Sequence, residues 1–201
     1  MEIKGLLITA VAAAALYGCG GHEIEQRENA RIPSGARFAQ EADTARYADG
    51  ELAMEATYLP PGKADLYFSR FKGGEYENPF PPGSFMVFSV EIKNTGKGPV
   101  SFNPRATLIA LEGADPVSPR DFASMYSTLS FAKAGDIDRR MEAFRAACFD
   151  TAVTAVPGDV VRRLLVFPRP KEHGKGGIFM FNGLYVEGEG RAVKLPYIFQ
   201  E

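Results

Sequence analysis

A mainly β fold, built as an antiparallel sandwich with a short two-helix insertion, is what the sequence predicts, and three observations carry the prediction. Apolar and polar residues alternate at period two along several short stretches, the spacing of strands with one buried face. Between them, 21 Gly and 14 Pro among 201 residues supply dense turn chemistry. Helix-period segments are too few to provide the crossovers that a parallel sheet needs. With 45% apolar and 24% charged residues, the composition is that of one folded domain of moderate size.

The chain opens with Leu6 to Leu16, an apolar run broken only by Thr9. As a helix this run rises about 16 Å, roughly half the hydrocarbon core of a bilayer, so it matches the apolar region of a signal peptide rather than a membrane span. Lys4 gives it a weak positive start, which Glu2 offsets. The run ends in Leu16-Tyr17-Gly18-Cys19 followed by Gly20-Gly21, which resembles the lipobox of bacterial lipoproteins, with Tyr17 standing where a smaller residue is usual. The resemblance implies that residues 1–18 are removed as a signal peptide, that Cys19 is acylated, and that this anchor makes the membrane a partner. Gly20 and Gly21 stand in place of an inner-membrane retention residue such as Asp, which favours the outer membrane. Several acyl chains, at about 0.8 kcal/mol per buried methylene, hold a protein on a bilayer durably, whereas one chain does so only marginally. A plain secretory signal cut near Gly18, with Cys19 an incidental thiol, is the alternative. Cys148 is the other cysteine and has no intrachain partner if Cys19 is acylated.

Residues 19–50 read as the lipidated cysteine and a flexible tether. Ile24, Ile32, Phe38 and Tyr47 are scattered among many charges and offer too little apolar surface to offset chain ordering. Phe38 and Tyr47 are the points at which this segment would dock. The sandwich is expected over residues 51–201. Leu52, Met54, Ala56 and Tyr58 alternate with Ala53, Glu55 and Thr57, and a further short strand is expected within Leu66 to Phe71. Phe85 to Lys93 is the clearest strand, with Met86, Phe88, Val90 and Ile92 on one face. After the turn residues Asn94 to Pro99, Val100 and Phe102 resume the alternation, and Thr107, Ile109 and Leu111 mark another strand. Downstream, Thr151 to Val156 leads through Pro157-Gly158-Asp159 into Val160 to Phe167, whose Leu164 to Phe167 run suits a strand covered on both faces. Arg162 and Arg163 begin that strand on opposite faces, at an exposed rim. Gly177 to Val186 is a strand with a break or tight turn at Asn182-Gly183. Val193, Leu195, Tyr197 and Phe199 form the last alternating face, where Pro196 marks an edge.

The stretches FSVEIKNTGKGPVSFNP at 88–104 and VPGDVVRRLLVFPRP at 156–170 resemble bacterial immunoglobulin-like envelope domains, including the telokin-like group found in lipoproteins. The likeness extends loosely over residues 50–200 and implies an immunoglobulin-like β-sandwich. It is a likeness of strands and turns and imports no active site. Antibody hallmarks are missing, for there is no Trp and no available cysteine pair.

One segment, about residues 118–150, leaves the strand pattern. Ser118 is placed to cap a helix with Pro119 at its first position and Asp121 near its positive end, followed by Phe122, Met125, Tyr126 and Leu129 at i, i+3, i+4 and i+7. Asp136 is placed to cap a second helix with the stripe Ile137, Met141, Phe144 and Cys148. Cys148 then behaves as a small buried hydrophobe. A sandwich needs no such insertion, and long insertions are often functional. The arc left over carries Arg139, Arg140 and Arg145, the candidate partner surface for an acidic partner or ligand.

A formal charge of −2 argues against nucleic acid as a partner. The two histidines, His22 in the tether and His173 in a polar loop, read as solvated residues, and no His or Cys spacing of a zinc site occurs. Gly174 to Gly177 lacks phosphate-loop spacing, and no G-x-S-x-G elbow is present. Met54, Met86, Met125, Met141 and Met180 are dispersed among apolar positions, as core fillers rather than a copper cluster. No catalytic residue, metal or cofactor is therefore expected. The chain reads as a membrane-anchored cell-envelope lipoprotein acting as a non-catalytic binding or assembly module with an envelope protein partner. The alternative is a small-molecule or carbohydrate-binding protein, or an enzyme with an unrecognised carboxylate site, using a cleft between the insertion and the sheet.

Overall fold

Ten strands and three α-helices follow one another along residues 36–199, the part of the chain that the computed structural model describes. The expected signal peptide, Cys19 and the expected tether up to residue 35 lie outside the described residues. In order the elements are β1 (Arg37–Glu41), β2 (Thr44–Ala48), β3 (Leu52–Leu59), α1 (Pro61–Arg70), β4 (Phe85–Asn94), β5 (Val100–Phe102), β6 (Thr107–Leu111), α2 (Phe122–Phe131), α3 (Ile137–Ala147), β7 (Val153–Ala155), β8 (Val160–Pro168), β9 (Gly176–Val186) and β10 (Glu189–Ile198). Sheet one runs β1-β2-β3-β4-β8 and sheet two runs β10-β9-β5-β7, with β6 beside β5 on the same edge of β9. All these pairings are antiparallel, so the architecture is the β-sandwich with a helical insertion that the alternation predicts.

The main core lies between the sheets. Met86, Phe88, Val90 and Ile92 of β4 all face it and are buried. Phe88 is its centre, with ring centroids 4.6 Å from Phe179, 5.3 Å from Tyr58 and 5.4 Å from Tyr197, tilted or edge-on as ring quadrupoles prefer. Asn94, fully buried, ties the sheets at one end. Its Nδ2 donates to Gly98 O at 2.8 Å and Ala155 O at 2.9 Å, and its Oδ1 accepts from Gly96 N at 3.0 Å. At the β10 side, Arg191 bridges to Asp49 at 2.9 Å and Glu51 at 2.7 Å, and Tyr197 Oη donates to Asp43 O at 2.6 Å.

A second core lies on the outer face of sheet one. Phe85 and Val87 of β4 with Leu164 and Val166 of β8 face outward there, under Phe68 of α1, Met125 and Leu129 of α2, and Met141 and Phe144 of α3. The Leu164 to Phe167 run is therefore covered on both faces, as its unbroken apolarity predicts. The insertion also closes the edge of β8, because Arg120 N donates to Val166 O at 2.7 Å and Phe149 N to Leu164 O at 2.9 Å.

Several expectations need correction. The segment Leu66 to Phe71 is no strand but the end of α1 and the single 3-10 turn after it. Pro61 starts that helix at a position needing no N–H, and Ala64 and Phe68, four apart, are its buried face while Leu66 is exposed. Pairing begins at Arg37, ahead of residue 51, because Ala45 and Tyr47 are buried and β1 and β2 extend sheet one. Asp121 rather than Ser118 caps α2, by a capping box in which Ser124 N donates to Asp121 Oδ1 at 2.9 Å. On α2 Met125 and Leu129 are buried, but Tyr126 is 48% exposed. The Asn182-Gly183 break is a bulge inside continuous β9, opposite Ala192 of β10, where the register shifts between Arg191 and Val193. Met180 lies on the outer face of sheet two, half-buried, and His173 is half-buried against Phe199 at 5.8 Å between rings.

Candidate functional site

Helix α3 builds the site. Asp136 sits in the left-handed region at φ 51° and its carboxylate accepts from Arg139 N at 3.4 Å, so it caps the helix as its position predicts. Burial of Met141, Ala143, Phe144 and Ala147 fixes which arc faces the sheet. The opposite arc presents Asp138, Arg139, Glu142 and Arg145. The α2 cap places Phe122 beside this arc, and Phe122 N donates to Asp150 Oδ1 at 2.8 Å, tying the start of α2 to the exit of α3. The Ser124 N–H, then its hydroxyl, then Arg105 hold the Asp121 carboxyl below its ordinary range, against some opposing burial. The Arg145 guanidinium lies 4.5 Å from the Phe122 ring centroid, a cation–π contact.

The far wall comes from the segment after α1. Lys72 and Gly74 take left-handed conformations there, turning the chain so that Glu75 and Tyr76 face α3. Lys72 Nζ is 5.9 Å from the Tyr76 ring. Between these walls lies an open cleft of about 600 Å³, lined by Glu75, Tyr76, Phe122, Asp138, Arg139, Met141, Glu142 and Arg145. A second, of about 350 Å³, is lined by Arg145, Phe149, Asp150, Thr151, Val153 and Arg163. Arg145 lines both, so the two clefts are neighbours on the α3 side of the molecule and are together termed the α3 groove. Among the described residues no ion pair joins Glu75, Asp138, Arg139, Glu142 or Arg145 to any other group.

Of the three arginines singled out from the sequence, Arg139 and Arg145 meet in this groove. Arg140 does not: its Nε donates to Gly135 O and its Nη1 to Pro79 O, each at 2.9 Å, so it pins the helix to the loop before β4. Arg163 joins the groove from the inner rim of β8, while Arg162 pairs with Glu91 on the outer face. Glu75 and Tyr76 were not foreseen, because the segment preceding them reads as a strand; the Pro60-Pro61 step is the signal that would have found the helix. The larger cleft lies within the helical layer, and the smaller one lies between the insertion, through Arg145 and Asp150, and the strands, through Val153 of β7 and Arg163 of β8. Cys148 is fully buried behind it, and burial raises its thiol well above the ordinary range. Among the described residues no cluster of His, Cys, Asp and Glu is grouped to hold a metal ion, and no helix is long and apolar enough to cross a membrane.

No family model matches the chain, and no curated protein matches it. Among solved structures, it is similar to the yjhA protein of Bacillus subtilis, at 14% identity and a TM-score of 0.37 over 69% of this chain and 77% of that one. It is also similar to the candidate lipoprotein ycdA of Bacillus subtilis subsp. subtilis, at 14% identity and a TM-score of 0.42 over 81% of this chain. The chain spans 40% of ycdA.

Proposed function

We propose that the protein is a cell-envelope lipoprotein, anchored through Cys19, whose sandwich is a non-catalytic binding module with the α3 groove as its ligand-facing surface. The observation that supports this most is the larger cleft of the groove: five charged side chains of both signs line it, with two aromatic rings, and none of the five is consumed by an ion pair among the described residues. Charged groups held at a concave surface outside ion pairs keep their hydrogen-bonding capacity for a ligand. The apolar run at Leu6 to Leu16 and the Gly18-Cys19 step support the anchor, and Gly20-Gly21 favours the outer membrane. The immunoglobulin-like, telokin-like kinship is part of the same proposal. The partner is a component of the envelope. A purely acidic partner is disfavoured, since Glu75, Asp138 and Glu142 stand among the arginines.

Two measurements test it. Lipid labelling and detergent partitioning are expected to move Cys19→Ala from the membrane phase to the aqueous phase, and unchanged partitioning would refute the anchor. Capture from cross-linked envelopes is expected to fall when Arg145 and Arg139 are both replaced by Ala; equal capture by variant and parent would refute the groove as the binding surface.

A further inference from the structure

We infer that the α3 groove binds a linear, uncharged saccharide chain; this rests on the groove being the protein's binding surface. Shape is the first reason. Two open clefts, of about 600 Å³ and about 350 Å³, meet at Arg145, and two neighbouring open spaces suit successive units of a chain better than one enclosed metabolite.

Charge is the second. The two clefts are lined by the cations Arg139, Arg145 and Arg163 together with the carboxylates Glu75, Asp138, Glu142 and Asp150. A polyanion laid there meets carboxylates in both clefts, and a polycation meets guanidinium groups in both.

Hydrogen-bond chemistry is the third. A carboxylate only accepts and a guanidinium only donates, whereas a sugar hydroxyl does both and so satisfies either neighbour without carrying charge. Tyr76 and Phe122 add apolar surface for the C–H faces of the rings.

An extended peptide is also neutral along its backbone, but it recruits affinity by adding to a strand edge. That edge is closed here, because the outward carbonyls of Leu164 and Val166 on β8 already accept from Phe149 and Arg120.

The test is isothermal titration and saturation-transfer NMR on the full chain in mild detergent, with chitotetraose, cellotetraose and maltotetraose as probes. Tetragalacturonate, chitosan tetramer and an alternating Lys-Glu decapeptide are the comparisons. At least one neutral tetrasaccharide is expected to bind saturably, with affinity at least tenfold weaker in Arg145→Ala and in Glu142→Gln, and unchanged in Gln40→Ala on the far side of the molecule. No saturable binding by any neutral tetrasaccharide overturns the inference, as does tighter binding of either charged oligomer. Binding of the decapeptide alone overturns it too, while leaving the groove a binding surface. Neutral sugars that fail while envelope capture still depends on Arg139 and Arg145 separate the failure of this inference from that of the function.

Discussion

The side-chain amide of Gln40 in β1 donates to the Ile198 carbonyl of β10 at 2.6 Å and accepts from the Ile198 N–H at 2.8 Å, so a side chain of sheet one completes the edge of sheet two. Pro196, two residues before, offers no N–H to any neighbour, and Ile198 is where the edge can be paired. Gln40→Ala removes both bonds. It is expected to lower stability by about 1 kcal/mol and to speed hydrogen exchange at the Ile198 amide by about fivefold or more, read by denaturant titration and NMR exchange.

Asp49 gives the sandwich an acid-sensitive clasp. Burial alone would raise its pKa, but the Tyr47 hydroxyl at 2.6 Å, the N–H groups of Glu51 and Leu52, and Arg191 outweigh it and hold the carboxyl below its ordinary value. A folded-state pKa below the unfolded value of about 3.9 means that this stabilisation is complete above that value and disappears as pH falls through the folded one. Asp49→Asn is expected to lose about 2 kcal/mol at pH 7 and to show a smaller further loss than the parent between about pH 5 and pH 2. Parallel stability curves for the two proteins over that window would contradict the assignment.

The helical layer shares β4 and β8 with the main core, and one cooperative unit is expected. Phe144→Ala should cost about 3–5 kcal/mol. The loss is expected in a single transition reported alike by far-ultraviolet dichroism and by near-ultraviolet tyrosine signals. A separate early transition of the helices would show that they fold as an appendage.

Gly183→Ala tests the bulge. A Cβ there would lie 2.3 Å from Asn103 O and 3.0 Å from Ala106 Cβ, which the short turn joining β5 to β6 cannot vacate cheaply. A loss of about 1–3 kcal/mol is expected. Gly188→Ala in the β9–β10 turn, at φ 84° but in open space, is expected to cost about 1 kcal/mol through backbone strain alone.

Buried Cys148 is expected to resist thiol reagents until the chain unfolds. In Cys19→Ala protein its modification rate should track global unfolding across a denaturant series. Rapid labelling of the native protein would contradict its placement between α3 and β8.

The alternating strands were legible because period two and one buried face are the same fact seen twice: Met86, Phe88, Val90 and Ile92 alternate in sequence and are all buried. Helix α1 was hidden because Leu66-Tyr67-Phe68 is as apolar as a strand, and only Phe68 of the three is fully buried. The early strands β1 and β2 were hidden by composition, since Arg46 and Glu41 are paired on the solvent face and only Ala45 and Tyr47 carry the buried one. At the groove, the arginines of α3 follow from helical spacing. Which of them is occupied does not, because Arg140 is engaged by Pro79, 61 residues away.

The ties between the first and last described strands also set a timetable. Gln40 waits for a partner 158 residues downstream, and Asp43 for Tyr197, 154 residues downstream. A chain threaded through a membrane pore from its leading end holds β1 and β2 on the far side long before β10 emerges. For the exported lipoprotein proposed above, the ties of Gln40 and Asp43 to β10 would therefore close only after the final strand has crossed.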